Sequence, residues 1–298
     1  MLAARGEPFA EEIPINPICS LSYRLAHSRK GLDFSMPTSP RTLSENRIWL
    51  TGGSYGIGRA VALEFARRGA HIGLTARSQD KLEQVQRDIE QAGGHALVLP
   101  GDVTDRSSMR DVAETMRREM GGIDILIANA GTHLRTDVDG LDVGEYMSLM
   151  NLNYAGALNC IEAVLPDMLR SGSGHIVGVA SIAGYRGVPS AAAYGASKAA
   201  LIHFLESMRF DVEERGIAVT IVNPGFVKTP LTDKNEFKMP FMIDSDKAAR
   251  IICRGIERKK HEITFPIPFN WFIKFLRILP MPIYAVIMRK IWKRMQID

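Results

Sequence analysis

Cysteine is scarce in this chain. Only Cys19, Cys160 and Cys253 occur in 298 residues, in no CxxC or Cys/His spacing. That excludes a disulfide framework and a structural zinc set, and it suits a reducing compartment. The seven histidines are equally scattered, so no metal site is expected. Long apolar runs are also missing: nothing approaches the ~20 continuous apolar residues of a membrane-spanning helix. Residues 1–35 lack the apolar core of a signal peptide, and Glu7, Glu11 and Glu12 are foreign to a transit peptide. A cytoplasmic location is the expectation. The same stretch has no hydrophobic period, so residues 1–44 are expected to form a disordered extension, with Met36 as an alternative start.

Net charge is small, +4, but unevenly placed. From Lys247 to Asp298, twelve lysines and arginines face three acids, Glu257, Glu262 and Asp298. Such an imbalance points to an anionic partner. Its cations are interleaved with Trp271, Phe272, Phe275 and Leu276, which suits a membrane surface better than nucleic acid. A solvated helix face with a basic tail accounts for the count equally well.

From residue 47 onward, short β-rich runs alternate with helix-period stretches. Strands are expected at 47–51, 71–75, 96–99, 123–128, 175–179, 218–222 and 262–265. Helices are expected at 57–68, 80–92, 107–120, 146–170, 192–214 and 246–259. Runs such as Ile123-Asp124-Ile125-Leu126-Ile127 are almost wholly apolar, as in a parallel sheet covered on both faces. The expected fold is therefore α/β, a Rossmann-type doubly wound parallel sheet of about seven strands with helices on both faces. No repeat or low-complexity linker interrupts residues 45–265, which read as one domain.

Directly after the first strand comes Thr51-Gly52-Gly53-Ser54-Tyr55-Gly56-Ile57-Gly58, opening into a helix. Glycines let the main chain approach a pyrophosphate, and the helix N-terminus offers free N–H groups and a partial positive charge. The spacing alone serves tight helix–strand packing just as well. Its place at the first strand–helix junction is what favours a dinucleotide, with Gly52, Ser54, Tyr55, Gly56, Ile57 and Gly58 as the cradle. The second strand ends in Ala76-Arg77, where NAD-preferring folds carry an acid for the ribose hydroxyls. A guanidinium there pairs with a 2′-phosphate, so NADP(H) is preferred, with NAD(H) as the weaker alternative.

Past the fifth strand stand Ser181 and then Tyr194-Gly195-Ala196-Ser197-Lys198. Tyrosine and lysine four apart share one helix face. A phenol titrates near 10 and is a poor base at neutral pH, but a nearby ammonium and an oxidised nicotinamide favour its phenolate. Tyr194 is then the acid/base, tuned by Lys198, with Ser181 bonding the substrate oxygen.

Taken together, these motifs resemble the short-chain dehydrogenase/reductase family over roughly residues 45–240. Beyond the glycine motif and the Ser–Tyr–Lys set, the resemblance rests on four further segments. Asp102-Val103 matches the family's adenine contact. Asn129-Ala130-Gly131 matches a segment that supports the sheet and lines the cofactor site. In Asn153-Tyr154-Ala155-Gly156, the resemblance makes Asn153 a fourth catalytic residue, holding a water in a proton relay to Lys198. Pro224-Gly225-Phe226-Val227-Lys228-Thr229 matches a segment whose threonine contacts the nicotinamide carboxamide. Tyr55 departs from the pattern, because many NADP-preferring members carry Arg or Lys there. Ala128 replaces the frequent first Asn of Asn-Asn-Ala-Gly. The run 69–78 resembles members acting on steroids and sphingoid ketones, and long helices in the family pair subunits, so a homo-oligomer is expected. The competing reading from another class is a sensor or scaffold on the same fold that binds NADP(H) and has lost catalysis.

Specificity is expected from residues 226–244, which carry Phe226, Phe237, Met239, Phe241 and Met242 and suit a mobile lid over a small lipophilic carbonyl or alcohol. Residues 184–188 form the opposite wall. Past residue 265, prolines extend 265–269, and two short helical patterns follow at 271–279 and 283–294. The extension 266–298 reads as an amphipathic segment on a membrane, with Trp271 and Tyr284 at headgroup depth and Arg289, Lys290, Lys293 and Arg294 facing anionic lipid. A subunit contact and a cover for the substrate cleft are the other readings.

Overall fold

Strand β1 (Arg47–Thr51) feeds alternate side chains into two separate apolar layers. Ile48 and Leu50 enter one layer, with α1 (Gly56–Arg67), α2 (Gln79–Gln91) and α7 (Ser245–Glu257). Trp49 enters the other, with α3 (Arg106–Met120), α5 (Gly156–Ser171) and α6 (Ala192–Val212). This is the period-2 geometry of a strand buried on both faces. The structure is a computed structural model that describes residues 45–136, 138–234 and 239–295. The expectations for residues 1–44 and for Phe237 lie outside the described residues.

Seven parallel strands form the sheet in the order β3-β2-β1-β4-β5-β6-β9. The others are β2 (His71–Thr75), β3 (His95–Val98), β4 (Ile125–Ala128), β5 (Gly174–Val179), β6 (Ile217–Pro224) and β9 (Glu262–Phe265). The expected architecture is present. The strand order reverses between β1 and β4, which pair Ile48 with Ile125 and Leu50 with Ile127. Open α/β sheets bind ligands at such a reversal, beyond the carboxyl ends of the strands. Both the glycine turn after β1 and the Asn129–Gly131 segment after β4 emerge there.

Two local expectations need correction. The helix expected over 146–170 is α4 (Val143–Met150), a π turn at Asn151–Ala155 and then α5. The π turn holds Asn153, whose side chain is drawn into bonds with neighbouring segments. Prolines do not extend 265–269: Pro266 is the N-cap of α8 (Ile267–Ile278), and Pro268 lies in its first turn, where the missing N–H costs nothing. Residues 226–244 hold, besides a short 3-10 turn, a two-stranded ribbon. In it Val227 and Lys228 of β7 pair in parallel with Ile243 and Asp244 of β8.

Candidate active site

The glycine turn is shaped by contacts that leave no room for side chains. A Cβ on Gly58 would lie 2.2 Å from the Gly52 carbonyl oxygen and 2.6 Å from Asn129 Nδ2. Gly56 has φ +59°, a conformation that suits glycine, and its missing Cβ would stand 3.3 Å from Thr229 Cγ2. Asn129 Nδ2 donates to the carbonyls of Thr51 (3.0 Å) and Gly52 (3.2 Å). Thr51 Oγ1 accepts from the main-chain N–H of Asn129 and of Ala130, each at 3.1 Å. These bonds lock the turn after β1 to the turn after β4.

Helix α1 begins at this turn with no side-chain cap and no acid in its first turn. Its first N–H groups are therefore free for an anion. Tyr55, the N-cap residue, is exposed; Ser54 and Ile57 are part-buried. The Gly52 N–H donates to Thr75 O at 2.7 Å, tying the end of β2 to the same turn. Arg77 follows two residues later, exposed and without an ion pair among the described residues. The Gly101 N–H reaches Ala76 O at 3.1 Å, which sets Asp102 beside it. Asp102 Oδ1 is occupied by the Thr104 N–H (2.9 Å) and hydroxyl (2.8 Å). Val103 is buried against Gly156, and Val227 packs into the core, so any contact Val227 makes with a ligand runs through its main chain. The glycine turn, the uncapped helix and Arg77 fit a phosphorylated dinucleotide.

Toward the other end of the crevice, Asn153 joins three segments. Its Oδ1 accepts from the Thr132 N–H at 2.8 Å, and its Nδ2 donates to Thr132 O (2.9 Å) and Ser197 Oγ (3.0 Å). These bonds position the 129–132 turn against α6. Gly131 lies directly over it: a Cβ there would be 2.9 Å from Asn153 Oδ1 and 3.2 Å from Lys198 Nζ.

Tyr194 and Lys198 project from the first turns of α6, with Lys198 Nζ 5.9 Å from the tyrosine ring centre. Lys198 is buried, and Nζ donates to Val179 O at 2.9 Å, bridging α6 to the end of β5. Loss of water pushes its pKa down to about 8. Ser181 follows β5; its Oγ accepts from the Ala183 N–H at 3.1 Å. Burial raises the Tyr194 phenol above its ordinary value, against the lowering effect of a hydrogen bond with Ser181.

Sequence reasoning passed over His133. Its ring meets that of Tyr194 edge-on, with centres 4.8 Å apart, and burial lowers its pKa, which favours the neutral imidazole. The available signal was its position two residues beyond Gly131, in the loop that follows β4. Residues 185–187 lie beside Ser181, and the β7–β8 ribbon pins the base of the segment carrying the exposed Phe241 and Met242.

A family model described as short chain dehydrogenase matches residues 46–239. The chain belongs to the short-chain dehydrogenase family. An uncharacterized oxidoreductase of Myxococcus xanthus is 36% identical to this short-chain dehydrogenase over 249 residues, 84% of the chain and 98% of the relative. The ketoacyl reductase HetN of a Nostoc species is 33% identical over 226 residues, covering 74% of the chain and 79% of the relative. An alcohol dehydrogenase from the archaeon Thermococcus sibiricus, solved with 5-hydroxy-NADP, superposes with a TM-score of 0.67 at 24% identity. That match covers 74% of the chain and 95% of its own, and it establishes the fold. The protein is thus an oxidoreductase of a family that uses nicotinamide cofactors.

Proposed function

We propose that this short-chain dehydrogenase interconverts ketones and secondary alcohols on lipophilic molecules such as a steroid, a sphingoid or an acyl chain, using NADP(H) in preference to NAD(H). The observation that carries the reading is the convergence of Ser181, Tyr194 and Lys198 beside Gly131 at the strand reversal. A bound nicotinamide supplies or takes up the hydride at the carbonyl carbon. In reduction the Tyr194 hydroxyl gives its proton to the developing alkoxide, while Ser181 steadies that oxygen by a hydrogen bond. The phenolate left behind is favoured by the Lys198 charge and regains its proton from solvent. Oxidation runs the same transfers in reverse. Burial raises the Tyr194 pKa further, which favours the protonated phenol that reduction requires.

Cofactor preference rests on Arg77, an exposed guanidinium at the end of β2 with no ion pair among the described residues. Lipophilicity rests on Phe226, Met239, Phe241 and Met242 in the segment beyond β6, and on the ketoacyl reductase among the relatives. Two measurements test the reading. NADPH oxidation should be seen with at least one of ketosteroids, long-chain ketones and ketoacyl thioesters. Absence of turnover on all three with NADPH bound favours the sensor alternative. Arg77→Ala should weaken NADPH binding about tenfold, roughly 1.4 kcal/mol, and leave NADH unchanged. An unaltered NADPH constant removes Arg77 from the site.

A further inference from the structure

Beyond the sheet, the chain ends its described part in two helices with no acidic residue, α8 and α9 (Met281–Met295). They dock on the substrate-cleft wall rather than extending freely. Arg186 Nη1 donates to the carbonyls of Leu276 (2.7 Å), Arg277 (3.1 Å) and Leu279 (2.7 Å), closing the C-terminus of α8. The guanidinium lies 4.0 Å from the Tyr284 ring centre, and the Tyr284 hydroxyl donates to Gly187 O at 2.6 Å. Glu262 on β9 accepts from Tyr185 and from Lys274. Tyr284 is thereby buried, which corrects its expected place at a headgroup surface.

With Leu276 turned inward, the opposite face of α8 is left open. Ile267, Trp271, Phe275 and Ile278 are 68%, 73%, 54% and 77% exposed. At 100° per residue they fall within one arc of about 80°. The open face of α9 starts with the exposed Ile283 and Val286 and ends with the exposed Arg289, Lys290, Lys293 and Arg294. An apolar stripe led by tryptophan, cations close by in sequence and no carboxylate in either helix together complement an anionic lipid surface. No helix of the described residues is long and apolar enough to cross a membrane.

We propose that the open faces of α8 and α9 are a docking surface for an anionic phospholipid bilayer, with Ile267, Trp271, Phe275 and Ile278 entering the interface and the α9 cations meeting headgroup phosphates. Because Arg186 and Tyr284 fasten both helices to residues 185–187, docking sets the wall of the substrate cleft next to the bilayer. Docking itself does not depend on the substrate reading, since it is measured without turnover.

The full chain is to be sedimented with phosphatidylcholine vesicles and with vesicles containing phosphatidylglycerol. It should pellet with the anionic vesicles at low salt, be released by high salt, and bind neutral vesicles at least tenfold less. Trp271→Glu with Ile278→Glu, and separately Lys290→Glu with Lys293→Glu, should each cut anionic binding at least tenfold and leave NADPH binding unchanged. If the glutamates in α8 impair folding, the conservative Trp271→Phe serves. Brominated lipid should quench the parent's tryptophan emission, and this quenching should fall in Trp271→Phe while binding persists. A chain that stays in the supernatant with anionic vesicles at low salt overturns the proposal. So does quenching unaltered by Trp271→Phe. A parent dimer split by the α8 pair, with no vesicle binding by either form, assigns the face to a second copy instead.

Discussion

Lys198 carries an ammonium group with almost no water around it and one carbonyl, that of Val179, 2.9 Å away. Its pKa is about 8 in the fold, against 10.5 for an ordinary lysine. Below pH 8 the charge is buried at full cost. Between pH 8 and 10.5 the unfolded chain holds a proton that the folded chain has lost, so this residue's contribution makes stability rise with pH. Lys198→Met should therefore be more stable than the parent at pH 7, by about 1–3 kcal/mol. The advantage should shrink as pH rises from 8 to 10.5. Urea unfolding of both proteins at several pH values gives the difference; one that stays constant across that range would show that the ammonium is not its source. The spacing of Tyr194 and Lys198 was legible in the sequence because four residues is one helical turn. The Val179 carbonyl that holds the amine lies nineteen positions earlier on another element, where no local pattern points to it. His133 escaped for a similar reason, since a lone histidine after a strand has no period to announce it.

Helix α8 illustrates how an element's ends are decided from outside it. Its prolines read as an extended segment, yet at the N-cap and in the first turn they remove no hydrogen bond a helix would make. Its C-terminal carbonyls are met by Arg186, about ninety residues upstream. A lysine ammonium could meet these carbonyls but would not stack on the Tyr284 ring as the planar guanidinium does. Arg186→Ala is expected to lower stability by about 1–3 kcal/mol and to speed amide exchange in residues 267–295, with β1, β4 and β5 unaffected. Arg186→Lys should restore only part of that protection. Exchange in the two helices that matches the parent's would mean that Arg186 does not hold them. The π turn at Asn151–Ala155 has the same lesson: the 3.6-residue period ran unbroken through 146–170, while the bonds of Asn153 to Thr132 and Ser197 that accompany the irregularity are tertiary.

Across the whole molecule, apolar strands alternating with amphipathic helices leave little freedom. A parallel sheet with right-handed crossovers is the arrangement that covers both faces. That is why the seven strands, and the glycine turn at the first junction, were readable before any coordinates. The docking of α8 and α9 on residues 185–187 was not legible, because it depends on contacts among Arg186, Gly187 and Tyr284 that lie about a hundred residues apart. The strand reversal between β1 and β4 sets the dinucleotide cradle next to the turn that carries Gly131, and β5 and α6 bring Ser181, Tyr194 and Lys198 to its far end. The central claim is that the Tyr194 hydroxyl carries the proton that accompanies hydride transfer. Its most direct test is the rate of NADPH-driven ketone reduction by Tyr194→Phe, with NADPH affinity measured separately. A fall of at least about a hundredfold with affinity retained is the expected result; a rate equal to the parent's would contradict it.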